Sequence, residues 1–165
     1  KLDALKVAIN YIKTSYIVGK TPRIYTLEGL APVRGILFSL LETKSPIWIY
    51  GLAENENLIN LLNNKSMHSF HIERIKKHIE LKLLFYKFPA EEIKTISNLK
   101  FTEGKLLPKN QQSKNSQITQ IVCGDNVYIT LWIDPTYTIV IENDLIAKEY
   151  LDLYSILWEY SKPLI

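Results

Sequence analysis

The chain has 165 residues, of which 47% are hydrophobic and 22% are charged, and its net charge is +3. These values are typical of one globular domain with a buried core, and they argue against a long disordered chain. The charge permits an anionic partner but is weaker than the basic excess of most nucleic-acid-binding modules. Cys123 is the only cysteine, so a disulfide framework is excluded and a reducing cytoplasm is the expected setting. No apolar run approaches the roughly 20 residues that span a bilayer, so we expect no membrane contact.

The N-terminal residues carry an apolar pattern with heptad spacing, which predicts an amphipathic helix. Such a helix either packs on its own domain or forms a coiled coil or linker that continues from an upstream segment. Gly19 ends the pattern. We therefore expect residues 1–19 to form a linker or dimerisation helix and residues 20–165 to form one domain. The apolar positions are Leu2, Leu5, Ile9, Ile12 and Tyr16.

The first half of the chain alternates between strand and helix patterns. Strands are predicted for RIYTLEG, PIWIYG and LKLLFY, and the last two are nearly all apolar, as in strands buried on both faces. Pro32 marks the first turn of a helix, and further helices are predicted from about Glu54 to Asn64 and from about Ser69 to Ile79. This alternation indicates parallel crossover connections.

The second half reads as consecutive strands: LKFTEG, QITQIVCG, VYITLWI and YTIVIEN. Residues 124–126, with the letters GDN, have the chemistry of a hairpin turn. Asn143 is expected to cap a final helix. The sequence therefore predicts an α/β fold with one mixed sheet, parallel in the first half, antiparallel in the second and flanked by helices. The buried stripe of the final helix is predicted to be Ile146, Tyr150, Leu153 and Leu157.

The three histidines, His68, His71 and His78, fall in or just before one predicted helix, with Arg74 among them. A cation inside the cluster disfavours zinc, and no Cys-x-x-Cys or His-Glu-x-x-His motif adds ligands. We therefore expect no metal and no cofactor. The sequence favours a solvated basic face, with an anion-contacting face as the alternative. Cys123 has no histidine near it in the sequence, which favours a core residue over a nucleophile.

The stretch ITQIVCGDNVYITLW can be aligned with the catalytic motif of the phospholipase D superfamily, His-x-Lys-x-x-x-x-Asp. In that motif the histidine attacks phosphorus and the lysine neutralises the phosphoryl oxygens. With the aspartate placed on Asp125, the histidine position holds Ile118 and the lysine position holds Gln120. Neither side chain can replace the group it stands for. The alignment therefore predicts a chain without phosphodiesterase chemistry, in which Asp125 is a turn residue.

A longer part of the chain resembles TrmB-like transcriptional regulators. The segment IVCGDNVYITLWIDPTYTIVIENDLIAKEYLDLYSILWEYSK is similar to the end of that family, where a GD hairpin leads to an IEN segment and a helix ending in LW. PRIYTLEGLAPVRGILFSLLETKSPIWIYG resembles its strand, glycine turn, helix and second strand. FHIERIKKHIELKLLF and KLLPK also have counterparts. The resemblance extends from about Arg23 to Lys162.

This resemblance implies a phospholipase-D-like domain that has lost catalysis and acts as an effector or dimerisation module. It implies a homodimer, and a small-molecule effector that is a sugar in the best-studied members. It also implies DNA binding through a winged helix-turn-helix domain, for which we find no sequence here and which we expect upstream of Lys1. Two alternatives stay open. One is a divergent phosphodiesterase with a nucleophile from outside the motif, such as His71 or His78; the other is a stand-alone protein-interaction module.

Residues that contact an effector can be suggested only by their type. Sugar sites combine aromatic rings with polar groups. Trp48, Tyr50 and Trp132 are therefore candidates, although aromatic residues in strands more often pack in a core. His71 and Arg74 are the candidate polar contacts.

Overall fold

The structure is a computed structural model that describes residues 3, 4, 6, 21–52, 56–62, 65–112 and 116–164. The helix predicted near the N-terminus lies almost wholly outside these residues. The strands are β1 (Arg23–Glu28), β2 (Ile47–Tyr50), β3 (Leu81–Phe85), β4 (Thr102–Leu106), β5 (Ile118–Cys123), β6 (Asn126–Leu131), β7 (Tyr137–Glu142) and β8 (Lys162–Pro163). The helices are α1 (Leu30–Thr43), α2 (Glu56–Leu62), α3 (Lys65–Lys76), α4 (Glu91–Ser97) and α5 (Asp144–Tyr160).

All eight of these strands form one mixed sheet in the order β1-β7-β6-β5-β2-β3-β4-β8. β2, β3 and β4 are parallel neighbours, whereas β5, β6 and β7 form an antiparallel meander. β1 pairs with β7 at the sheet edge rather than with β2. The predicted α/β class, with one mixed sheet flanked by helices, is confirmed. The predicted division of the pairing is right only in part, because β1 is antiparallel to β7 and β4, expected among the antiparallel strands, is parallel to β3.

The helices divide between the two faces of the sheet. α1 to α4 contribute to one core cluster with Ile47, Leu81 and Ile121. α5 packs on the other face, where Ala147 and Tyr154 meet Val122 and Val127. We call these the four-helix face and the α5 face. Because neighbouring residues in a strand point to opposite faces, each buried strand supplies both cores, as the nearly continuous apolar runs indicated.

Two helices also differ from the prediction. α4 was not predicted, because it is only two turns long and has few apolar positions to set a period. In α5, the predicted stripe residues Ile146, Tyr150 and Leu157 pack on the core, but Leu153 is 52% exposed whereas Tyr154 is 2% exposed. A large aromatic side chain at the neighbouring position takes the place facing the sheet.

Arg74 on α3 is the largest fully buried side chain, which corrects its interpretation as part of a solvated basic face. Its Nη1 donates to the carbonyl oxygens of Ile79 at 2.8 Å and Phe101 at 2.9 Å. Its Nη2 donates to the carbonyl oxygen of Lys100 at 3.3 Å and to Oγ1 of Thr102 at 2.6 Å. Arg74 therefore joins the end of α3 to the chain entering β4.

Replacing Arg74 with Met should lower the free energy of unfolding by about 3 kcal/mol, because several buried carbonyl oxygens lose their donors together. Denaturant unfolding monitored by circular dichroism measures the change. Lys76→Met on the same helix is the matched control, since Lys76 is 65% exposed and its loss should cost about 0.5 kcal/mol or less. Equal losses in the two variants would contradict this role of Arg74.

Candidate functional site

The positions aligned with the catalytic motif lie on β5, where its first residues run beside the end of β2. Ile118 and Gln120 are two residues apart and point to the α5 face, and Gln120 pairs across the strands with Tyr50. Gly51 follows β2 with φ of 76°, and a Cβ there would lie 2.8 Å from the carbonyl oxygen of Ile118. A glycine is needed at this position because β2 and β5 approach so closely.

Gln120 is held by a hydrogen bond from α5. Oη of Tyr154 donates to its Oε1 at 2.6 Å. Burial raises the pKa of Tyr154, so its hydroxyl stays protonated and donates at neutral pH. The Tyr154 ring also packs against Tyr50, with centroids 5.6 Å apart, and against Tyr150 at 6.0 Å. The position that holds the catalytic lysine in the motif is therefore filled by an uncharged hydrogen-bonded pair within an aromatic cluster.

Asp125 lies at the other end of β5, in the two-residue turn that joins β5 to β6. Its carbonyl oxygen accepts a hydrogen bond from the backbone N–H of Asn143 at 2.9 Å. Oδ1 of Asn143 in turn accepts from the N–H of Ile146 at 3.0 Å and caps α5. The predicted turn and helix cap are confirmed. Through them, the hairpin fixes the start of the helix that carries Tyr154.

The structure places the five candidate effector residues in three locations. Trp48 and Tyr50 lie on the α5 face, where Trp48 packs against Trp158 of α5 with ring centroids 5.5 Å apart. His71 and Trp132 lie on the four-helix face and line one cavity. Arg74 donates to the backbone carbonyl oxygens described above. The five do not form a single site, and a binding role for any of them stays a prediction.

His71 is largely buried, and its pKa is lowered to about 4 by burial, by the nearby Arg74 and by His68. It is therefore neutral at physiological pH, unlike a histidine on a solvated basic face. Its Nδ1 has no hydrogen-bond partner within the described part of the chain. Trp132, by contrast, donates from Nε1 to Oγ1 of Thr119 at 2.8 Å.

The sequence reasoning missed two lysines beside the tryptophans of the α5 face. Nζ of Lys82 lies 4.8 Å from the ring centroid of Trp48 and 5.5 Å from that of Trp158. Nζ of Lys105 lies 4.6 Å from the same Trp158 ring. These distances are those of cation–π contacts. A lysine within the apolar strand LKLLF was the only available signal.

Cys123 is buried, and burial raises the pKa of its thiol. Its Sγ lies 3.1 Å from Oγ1 of Thr43, so it packs as the predicted core residue.

Within the described ranges, no group of three or more His, Cys, Asp or Glu side chains is arranged to hold a metal ion. None of the helices described there is long and apolar enough to cross a membrane.

No family model matches the sequence, and neither does any curated protein. Solved structures do match. NucT from Helicobacter pylori is 11% identical with a TM-score of 0.60 over 87% of this chain and all of its own. Nuc from Salmonella typhimurium, a phospholipase D family member, is 12% identical with a TM-score of 0.58 over 87% of this chain and 99% of its own. The chain has the phospholipase-D-like fold.

The same fold occurs in TrmBL2, an archaeal chromatin protein whose structure shows a novel mode of DNA binding. The two chains are 12% identical with a TM-score of 0.55, and the match covers 98% of this chain but 62% of TrmBL2. This chain therefore spans less than two thirds of that protein. The phospholipase-D-like fold thus occurs both in a phospholipase D family member and in an archaeal chromatin protein, so the fold by itself leaves activity to be argued from the residues.

Proposed function

We propose that this chain is a non-catalytic regulatory domain of the kind that ends TrmB-like transcriptional regulators. The observation that carries the proposal is the pair formed by Gln120 and Tyr154 at the position of the catalytic lysine. A neutral amide and a phenol cannot neutralise a phosphoryl group as an ammonium does. Ile118, at the histidine position, has no nucleophilic atom.

The alternative, a divergent phosphodiesterase, needs a nucleophile from elsewhere. The sequence offers two candidates, His71 and His78. His71 is on the four-helix face, across the sheet from Gln120. His78 follows α3 and packs on Phe101, with ring centroids 5.0 Å apart. Neither histidine lies beside the motif position, which supports the non-catalytic reading.

In this proposal, DNA is bound by a helix-turn-helix domain upstream of the present sequence, and residues 1–19 form the linker between the two. The likeness to TrmBL2, which covers nearly all of this chain but only part of that protein, supports this arrangement. The modest charge of +3 also agrees with a domain that does not itself carry the main DNA contact.

The purified protein should hydrolyse bis-p-nitrophenyl phosphate no faster than buffer, because both reacting groups of the motif are absent. Release of p-nitrophenol, followed by absorbance with and without EDTA, measures this. Metal-independent turnover that is lost in His71→Gln or in His78→Gln would show that the chain has recruited another nucleophile, and the proposal would then be wrong.

We also propose that the domain acts as a homodimer. Exposed apolar side chains occur on one side of α5, where Leu153 is 52% exposed and Ile156 is 55% exposed. Ile24, on the edge strand β1, is also exposed. A two-fold interface is self-complementary, so a single apolar patch of this kind can cover itself. The heptad pattern of residues 2–16 is a second possible contact.

Light scattering at micromolar concentration should give twice the chain mass of 19.1 kDa. Leu153→Lys combined with Ile156→Lys should shift the mass to that of a monomer, because it places charges within the apolar contact. Ser155→Lys, at an exposed position of α5 turned away from Leu153, is the control and should leave the mass unchanged. Leu5→Lys combined with Ile12→Lys tests the N-terminal helix separately. A monomeric natural chain would contradict the proposal.

A further inference from the structure

The α5 face of the sheet is covered only in part. Tyr25 and Leu27 pack against the core of the four-helix face, so the alternate residues of β1, which begin with Ile24, point to the α5 face. On that face, α5 lies over β6, β5 and β2, and Ile24 is 60% exposed. Within the described part of the chain, no helix therefore covers the edge formed by β1 and β7.

The side chains along this edge are mainly apolar. Six residues of β1 and β7 point to the α5 face, and four of them are isoleucine or tyrosine. A sheet face that stays in water usually carries polar residues at these positions, so the composition indicates a face that another layer covers. We call this surface the edge patch: Ile24, Thr26 and Glu28 of β1, and Tyr137, Ile139 and Ile141 of β7.

The segment directly before β1 has a complementary pattern. The heptad spacing of residues 2–16 gives one apolar side to a helix. Asp3 and Ala4, which lie away from that side, are helical and exposed. A helix of this length is marginal alone in water, so its apolar side needs a cover. It would be about 22 Å long, close to the length of about 20 Å expected for the six residues of β1.

The connection to β1 limits where this helix can lie. Gly19 ends the apolar pattern and β1 begins at Arg23, so only residues 20–22 join them. A connection this short returns the helix beside the strand that it enters. α1, which leaves the other end of β1, packs on the four-helix face, where Tyr128 and Val140 are already buried. The α5 face is therefore the one with room for the helix.

We propose that residues 2–16 form a helix that packs its apolar side on the edge patch of its own chain. The helix runs antiparallel to β1, so that Tyr16 lies near Ile24 and Leu2 lies near Tyr137. The three-residue connection keeps the two surfaces at a high effective concentration, which favours this contact over the same contact with a second copy.

This inference goes beyond the proposed function, because it does not depend on an upstream domain or on an effector. It assigns the N-terminal segment to its own domain rather than to a coiled coil. It also predicts that any preceding chain leaves the domain at the end of β1 that carries Glu28. Leu5→Lys combined with Ile12→Lys should then leave the mass measured by light scattering unchanged, and a shift to the monomer mass would overturn the inference.

The direct test measures how fast N-ethylmaleimide modifies a single introduced cysteine in the full chain, followed by mass spectrometry. Thr26→Cys places the thiol in the edge patch, and Ser155→Cys places it on α5. Both positions are exposed among the described residues, whereas the natural Cys123 is buried. We expect Thr26→Cys to react about 10-fold more slowly than Ser155→Cys, because only local opening of the N-terminal helix exposes it. Equal rates would overturn the proposal.

Breaking the apolar side of the helix then identifies what covers the patch. Adding Leu5→Lys and Ile12→Lys should raise the rate of Thr26→Cys about 10-fold and leave that of Ser155→Cys unchanged. Circular dichroism checks the fold; if this variant does not fold, Ile9→Asn gives the same comparison with a smaller change. Protection that survives these changes would assign the cover to another segment, and protection that is lost on dilution would assign it to a second copy. Either result would overturn the proposal.

Discussion

The hydrogen bond from Tyr154 to Gln120 joins the last helix to the central strand β5 and fills the position aligned with the lysine of the phospholipase D motif. α5 is set at its start by the Asn143 cap and the turn at Asp125. Beyond its end, Lys162 pairs with Leu106 of β4. With both ends of α5 fixed in this way, the side chain of Tyr154 faces the sheet and reaches Gln120. The side chain at the position aligned with the catalytic lysine is therefore part of the packing of α5.

The sheet separates two different environments. On the α5 face, the motif position at Gln120 lies beside the rings of Tyr50 and Tyr154. Lys82 and Lys105 lie against Trp48 and Trp158 on the same face. On the four-helix face, Arg74 fixes the chain around β4, while Nδ1 of His71, one turn earlier on the same helix, has no hydrogen-bond partner among the described residues. Two neighbouring basic residues of one helix thus differ in their hydrogen bonding.

The sequence predicted the elements that local rules determine. Apolar runs identified β2 and β3, the letters GDN identified the hairpin turn, and Asn143 identified the start of α5. It did not predict contacts between distant residues: Arg74 reaches the carbonyl oxygen of Phe101, 27 positions away, and Tyr154 reaches Gln120 across 34 positions. The one wrong position in the predicted stripe of α5 has the same cause, since Leu153 and Tyr154 both suit a buried stripe and only the opposing sheet selects between them. The residues at the motif positions could be read directly from the sequence, whereas the contacts that hold Gln120 could not.

A double-mutant cycle of Tyr154→Phe and Gln120→Met tests most directly whether these side chains act as one unit. Denaturant unfolding of the natural chain, both single variants and the double variant gives their coupling free energy. The account predicts a coupling of about 1 kcal/mol or more, because each single change leaves the other polar group unmatched in a buried cluster. Tyr128→Phe, on the four-helix face, should be additive with Gln120→Met and serves as the control. Additivity of Tyr154→Phe and Gln120→Met within about 0.3 kcal/mol would contradict the account.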